Sequence, residues 1–270
     1  MISGPGFYDI SNEAYHSDAL VDPRLGRTLS SSGIKALLHL PARFAYERDH
    51  GRAPKDAFDL GSTAHAIVLR NGTVHVVDAR DWKKPANQAI RKQLRAEGKV
   101  VVHRGEYAQA AAMARAVRRH PLASAILSRG RAEVSYYWTD EATGVTCRAR
   151  ADWLREGTGA DAVIDLKTTV DASADGFGKR IADFGYAMSA AHYLDGYEAL
   201  TGRRLPFYLI AVETVPPHFV QVHEIGQDWL ADAAEKVAEA RALFAECEST
   251  GRYPGYATDQ IVTPTRPRWA

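Results

Sequence analysis

The sequence holds only two cysteines, Cys147 and Cys247. That is too few for a disulfide framework, or for a four-cysteine zinc or iron–sulfur site. No iron–sulfur cluster is therefore expected, and a reducing, cytoplasmic setting fits. No run of about 20 apolar residues occurs, so no membrane-spanning helix is expected. The stretch from Met1 to Gly6 lacks a basic segment followed by an apolar one, which speaks against an export signal. The net charge of +1 gives no whole-chain argument for a polyanionic or membrane partner. No Gly-X-Gly-X-X-Gly follows a strand, which argues against a dinucleotide-binding enzyme. Internal repeats and low-complexity segments are missing as well.

What is present is a chain of 270 residues, long enough for one large core. One elaborated domain is expected over 1–255, with a mostly helical part at 1–131, an αβ core at 132–225, a closing helix at 226–250 and a tail at 256–270. The charges are unevenly spread. Between Arg80 and Arg131 thirteen Lys and Arg face three acids, whereas Glu224 to Thr250 holds seven acids against Lys236 and Arg241. A basic face and an acidic face follow, and the basic helices would suit contact with phosphates, which give affinity without sequence information. A solvated charged face is the plainer reading of the same pattern. Trp82 and Trp138 would stack on bases if exposed.

The early segments read as helices: one capped by Ser30, a second restarted by Pro41, and a short apolar one from Leu60 that carries His65. Two more are expected at Lys83 to Glu97 and Tyr107 to Arg119. Glu133 to Thr139 alternates, turns through Asp140 to Gly144 and resumes from Val145 to Leu154, which is a hairpin pattern. A third strand follows at Ala162 to Thr168, then a loop with Gly176 and Gly178 and a helix from about Ile181 to Leu200, ended by Gly202. Phe207 to Thr214 and Phe219 to Ile225 read as strands, and Trp229 to Cys247 as an amphipathic helix. The sum is an α/β sandwich around a mixed sheet.

In the third strand Asp165 and Lys167 are two apart and share a face. Charges inside an apolar strand are expensive unless they are paired or bind metal. On that strand alone a Lys–Asp pair at a sheet edge is the simpler reading. In the preceding strand, however, Arg148, Arg150 and Asp152 share a face, and pairing of the two strands lets Asp152 and Asp165 converge. Two close carboxylates suit a hard cation such as Mg2+, with the backbone carbonyl of Leu166 as a further oxygen. Arg148 and Arg150 would grip phosphates there or neutralise the carboxylates.

Asp152 followed by Asp165-Leu166-Lys167 resembles the Asp…(Asp/Glu)-X-Lys signature of the PD-(D/E)XK nucleases. Glu133-Val-Ser-Tyr-Tyr-Trp138, Thr143 to Asp152, Asp165 to Thr169 and Tyr193-Leu-Asp-Gly-Tyr197 together are similar to the RecE-type exodeoxyribonuclease VIII family of phages and prophages. The likeness is close over 133–200 and looser at Ser30 and Gly61 to His65. The resemblance implies a restriction-endonuclease-like fold with a mixed central sheet flanked by helices and an N-terminal helical elaboration. It implies Asp152, Asp165 and His65 as ligands of Mg2+, with Mn2+ as a substitute, Lys167 orienting or activating the attacking water, and Glu133 as an accessory acid. Tyr193 keeps its place in a Gln-X-X-X-Tyr pattern, while Ser189 stands where the family has glutamine and would reach the site only through a water. Arg118, Arg119, Arg148 and Arg150 are the expected DNA contacts.

By the same resemblance the chain would digest DNA from duplex ends in the 5′-to-3′ direction in phage-type recombination. It would form a ring-like homo-oligomer and hand a single strand to an annealing protein, with no membrane involved. Two rivals are a nuclease of the same fold acting endonucleolytically and a catalytically impaired DNA-binding module. Ser189 is the sequence feature behind the second.

Overall fold

The computed structural model describes residues 1–51, 57–157 and 159–266, with backbone only at 57–59. Its strands are β1 (Gly6–Tyr8), β2 (Leu29–Ser30), β3 (Val74–Val77), β4 (Val100–His103), β5 (Arg131–Thr139), β6 (Thr146–Arg155), β7 (Ala162–Thr169), β8 (Phe207–Glu213) and β9 (Val220–Glu224). The helices are α1 (Asn12–His16), α2 (Ser31–His39), α3 (Pro41–His50), α4 (Ala57–Leu69), α5 (Pro85–Ala96), α6 (Arg104–Arg119), α7 (Pro121–Ile126), α8 (Ala174–Phe184), α9 (Tyr186–Thr201) and α10 (Gln227–Thr250). No described helix is long and apolar enough to cross a membrane.

The main sheet runs β1-β5-β6-β7-β8-β9, with β2 also paired to β6. It is mostly antiparallel; β7 with β8 and β2 with β6 are parallel. The β5–β6 hairpin closes where the expected turn lies. Asp140 accepts from the Thr143 amide and hydroxyl, and Gly144 takes φ 71°, a left-handed position that favours glycine. Strands β7 and β8 are buried on both faces, which explains their near-continuous apolar text. On one face Val163, Leu209 and Ala211 meet Ala190, Leu194 and Tyr197 of α9 and Val237 and Phe244 of α10. On the other, Ile164, Leu166, Ile210 and Val212 meet Ala64 and Val68 of α4 and Met113 and Val117 of α6. The mixed α/β sandwich expected from the sequence is the observed architecture.

The N-terminal part, expected to be mostly helical, holds α1 to α7 and also four short strands. Strand β1 pairs with β5 and β2 with β6, each too short to show a two-residue period. A separate parallel pair, β3 and β4, lies at the ends of α5, built from the Val-rich runs at 74–77 and 100–103. The helix expected from Ile181 is also divided. Gly176 and Gly178 lie inside α8, which is capped by the Ser173 hydroxyl, and the chain bends at Gly185 (φ 60°) before α9 begins. Gly202, at φ 68°, ends α9 as expected. From Arg252 to Arg266 the chain has no helix or strand.

Candidate active site

Strands β6 and β7 pair over only three positions, Trp153 with Ile164, Leu154 with Val163 and Arg155 with Ala162. Farther along β6 the same edge is taken by β2, at Cys147 and Arg148. Between those contacts the two strands part, and Asp152 sits at the point of parting. Its Oδ2 accepts the Leu166 amide at 2.7 Å, so a side-chain carboxylate replaces a backbone carbonyl in the ladder. That anchors Asp152 against β7, where it makes a hydrogen bond with Asp165. The Leu166 carbonyl is thereby turned toward the ring of His65 on α4, which hydrogen-bonds it, and lies 3.5 Å from Lys167 Nζ.

Lys167 Nζ lies 2.6 Å from Asp165 Oδ1, so the two residues share a face as their spacing requires. Burial and then the neighbouring Asp165 charge push the Asp152 carboxyl well above the usual carboxylate range. Burial acts on Asp165 in the same sense, but the Lys167 charge and hydrogen bonds from Asp152 and Lys167 outweigh it and hold the group low. Burial works against the Lys167 ammonium, yet the two aspartates raise it overall. Two adjacent carboxyls are thus driven in opposite directions, a pattern of functional sites.

A third acid completes the cluster. One ligand atom each of His65, Glu133 and Asp152 lies within 4.8 Å of the others, and His65 Nδ1 is 3.4 Å from Asp152 Oδ2. Glu133 reaches this point from β5 at φ 54°, a left-handed conformation unusual for a non-glycine residue and one that costs about 1–3 kcal/mol. Two carboxylates, an imidazole and a nearby peptide carbonyl form an oxygen-rich donor set that fits a hard divalent cation. The expected ligands His65, Asp152 and the Leu166 carbonyl come together. Asp165 lies beside them in the grip of Lys167, and Glu133 is brought in as a donor.

On α9, Ser189 is buried and already partnered, accepting from Ser31 Oγ at 2.9 Å and from Lys35 Nζ at 3.1 Å. Tyr193 is half-buried near the carboxylates, its phenol raised by burial and then by Tyr15, Asp165 and Asp152. Several expected DNA contacts are used internally. Arg150 is buried and pairs with Glu133 at 2.6 Å, and Arg148 pairs with Asp18 at 2.9 Å. Both guanidiniums lie over the Tyr15 ring, so neither is presented to solvent. Of the α6 arginines, Arg118 is exposed while donating to the Ile67 carbonyl, and Arg119 is exposed. Trp138 is buried against His192 and Gly196, which excludes base stacking. Trp82 is half-buried, donates to Glu106 and carries Arg91 over its ring.

Lys35 and Ser31 were not anticipated by sequence reasoning. The available signal was their spacing: one turn apart on an amphipathic helix whose buried side holds Ser31, Ile34 and Leu37.

The model of a family described as a PDDEXK-like domain of unknown function, DUF3799, matches residues 30–261. No curated protein matches the chain. Among solved structures, a candidate exonuclease from Eubacterium rectale is 14% identical with a TM-score of 0.64, covering 96% of this chain and 97% of its own. That likeness shows the fold. A phage-related exonuclease from Haemophilus somnus is 11% identical at a TM-score of 0.35, over 84% of this chain and 97% of its own. An alkaline exonuclease from Laribacter hongkongensis is 19% identical at 0.25, over 72% and 94%.

Proposed function

We propose that this chain, which belongs to the PDDEXK-like domain family DUF3799 within the PD-(D/E)XK nuclease superfamily, is a divalent-metal-dependent deoxyribonuclease that digests DNA from duplex ends. The observation that carries the reading is the convergence of Asp152, Asp165 and Lys167 with His65 and Glu133 where β6 and β7 part. His65, Glu133, Asp152 and the Leu166 carbonyl would hold the cation, with Asp165 as the adjoining carboxylate; Mg2+ is the proposed ion and Mn2+ a substitute. When bound, such an ion offsets phosphate charge and acidifies water.

The protein's own groups divide the remaining work. Lys167, whose ammonium is stabilised by two aspartates, stays protonated at neutral pH. It is therefore a donor that orients a water and offsets charge on the phosphoryl group, and not a proton acceptor. Asp165 fixes the position of that ammonium and remains an anion. Tyr193 borders the carboxylates from α9.

Digestion in the 5′-to-3′ direction, a ring-like homo-oligomer, a place in phage-type recombination and transfer of a single strand to an annealing protein are proposed on the resemblance of 133–200 to the RecE-type exonucleases. Exposed Arg118 and Arg119 and the basic α5 region are the proposed backbone contacts.

The test is degradation of linear against covalently closed circular duplex, with and without Mg2+, by the natural protein and by Asp165→Ala and Lys167→Ala. Loss of linear DNA alone, dependent on metal and reduced by at least about 10³-fold by either substitution, is the expected outcome. Cutting of circles would establish an endonuclease instead. DNA binding without cleavage under any divalent metal would establish a binding module.

A further inference from the structure

Lys35 projects from α2 into a slot made by the junction of α8 and α9. Its Nζ donates to Ser189 Oγ at 3.1 Å and to the Phe184 carbonyl at 3.2 Å. Ser31, one turn earlier on α2, holds the same Ser189 oxygen at 2.9 Å. The slot depends on the absence of a side chain at Gly185: a Cβ there would stand 3.0 Å from Lys35 Cδ and 2.5 Å from Met188 Cε. Lys35 is thus held in place by residues of another element.

Its electrostatic surroundings are unbalanced. Both acceptors of Lys35 are neutral, and among the described residues no carboxylate lies within ion-pair distance of its Nζ. The neighbouring ammonium is Lys167: the two Nζ atoms lie 6.0 Å and 5.4 Å from the centroid of one ring, Tyr186. Of the two, only Lys167 has a carboxylate partner, Asp165. Burial and then the Lys167 charge push Lys35 down to about 8, with Asp165 offsetting part of the effect. A half-buried cation with neutral partners and a second cation nearby lacks a counter-ion, and binding an anion relieves both costs.

We propose that Lys35 and Lys167 together bind one phosphate group of the nucleic-acid substrate, Lys35 through a non-bridging oxygen, and that Ser31 and Ser189 serve to position the Lys35 ammonium. The identification of the anion as a DNA phosphate rests on the nuclease reading above. The role of Ser189 changes accordingly: its oxygen is committed to aiming a lysine from α2.

Two measurements on the full chain test this. The first is single-turnover cleavage of linear duplex with Mg2+ at saturating DNA. The second is calorimetric titration of the metal-free protein with inorganic phosphate. Lys35→Met is expected to lower the cleavage rate by roughly 10²-fold and phosphate affinity by about tenfold, whereas Lys35→Arg keeps most of both. Ser189→Ala, which leaves the ammonium but removes one anchor, is expected to fall between them and decides the matter if Lys35→Met does not fold. Unchanged phosphate affinity in the folded variants overturns the proposal, as does an unchanged cleavage rate in an active enzyme. If the natural protein cleaves no DNA, the nuclease reading fails separately, and the phosphate titration still decides whether Lys35 holds an anion.

Discussion

Glu133 stands in a backbone conformation that a glycine would adopt more easily, and its carboxylate reaches His65 and Asp152 while accepting from Arg150 at 2.6 Å. Strain of this kind persists where surrounding contacts over-determine it. Here the buried Arg150 supplies that determination, with further bonds to the Ser135 hydroxyl and the Ile10 carbonyl. Arg150 thereby aims a metal-site acid and has no need to touch DNA. Glu133→Gln keeps an oxygen for Arg150 and removes a negative charge from the proposed cation site. The Mg2+ concentration for half-maximal cleavage is expected to rise about tenfold, within the range typical for groups that tune a metal site. A metal titration of cleavage that gives the same midpoint for both proteins would remove Glu133 from the ligand set.

The helices α9 and α10 meet around a buried polar group. His192 Nε2 donates to the Arg148 carbonyl at 3.1 Å, and its Nδ1 accepts from a guanidinium nitrogen of Arg241 at 3.1 Å. Arg241 in turn pairs with Asp140 at 3.0 Å and Asp195 at 3.1 Å, tying the hairpin turn to both helices. Burial and then the Arg241 charge push the imidazole down to about 3. The unfolded chain therefore takes up a proton near the ordinary histidine value of 6.5, whereas the folded one does not. Stability contributed by the neutral ring is complete above about pH 6.5 and falls as the pH drops toward about 3, at up to about 1.4 kcal/mol per pH unit. Replacing His192 by Leu is expected to flatten this part of the acid-unfolding curve, measured by denaturant midpoints at several pH values. An unchanged slope would assign the acid sensitivity elsewhere.

Elements with a strong period or a defined turn were legible. The β5–β6 hairpin, β7 and α10 lie where alternation, Asp140 to Gly144 and the apolar stripe put them. The short strands β1 and β2 were not, because three residues and two residues carry no period and are set by partners more than 100 positions away. The candidate site divided in the same way. Asp165 and Lys167 could be read from one strand, since two charges in apolar text demand partners. Glu133 is reached from the sequence by resemblance and Lys35 only by its spacing from Ser31, because both acquire their surroundings from distant elements. Arg150 lies beside Glu133 of the site, whereas Arg148 pairs with Asp18, and both partners come from elements that the text of β6 does not reveal.

Across the whole molecule the charge asymmetry of the sequence survives folding. Helix α5 has no buried residue, and Lys83, Lys84 and Lys92 at its start and along its length are exposed, while α10 exposes Asp228, Asp232, Glu235 and Glu239. A net charge of +1 therefore hides two faces of opposite character. Replacing Lys83, Lys84 and Lys92 together by Glu is expected to weaken duplex binding at low salt. The slope of log affinity against log salt should become shallower by about 0.9 for each phosphate that the protein no longer neutralises, with the cleavage rate at saturating DNA unchanged. Equal salt slopes for the two proteins would leave the α5 face without a role in DNA binding.

The carboxylate of Asp152 also bonds to the Leu166 amide where β6 and β7 part, and this gives one residue two separate reasons to be retained. A descendant of this chain that abandoned cleavage could lose the ammonium of Lys167 without leaving a backbone amide unpaired. Losing Asp152 would remove the acceptor that joins the two strands at their point of separation. Decay of the activity should therefore erase Lys167 before Asp152, and an aspartate at this position is weaker testimony to a working enzyme than the lysine two strand positions beyond Asp165.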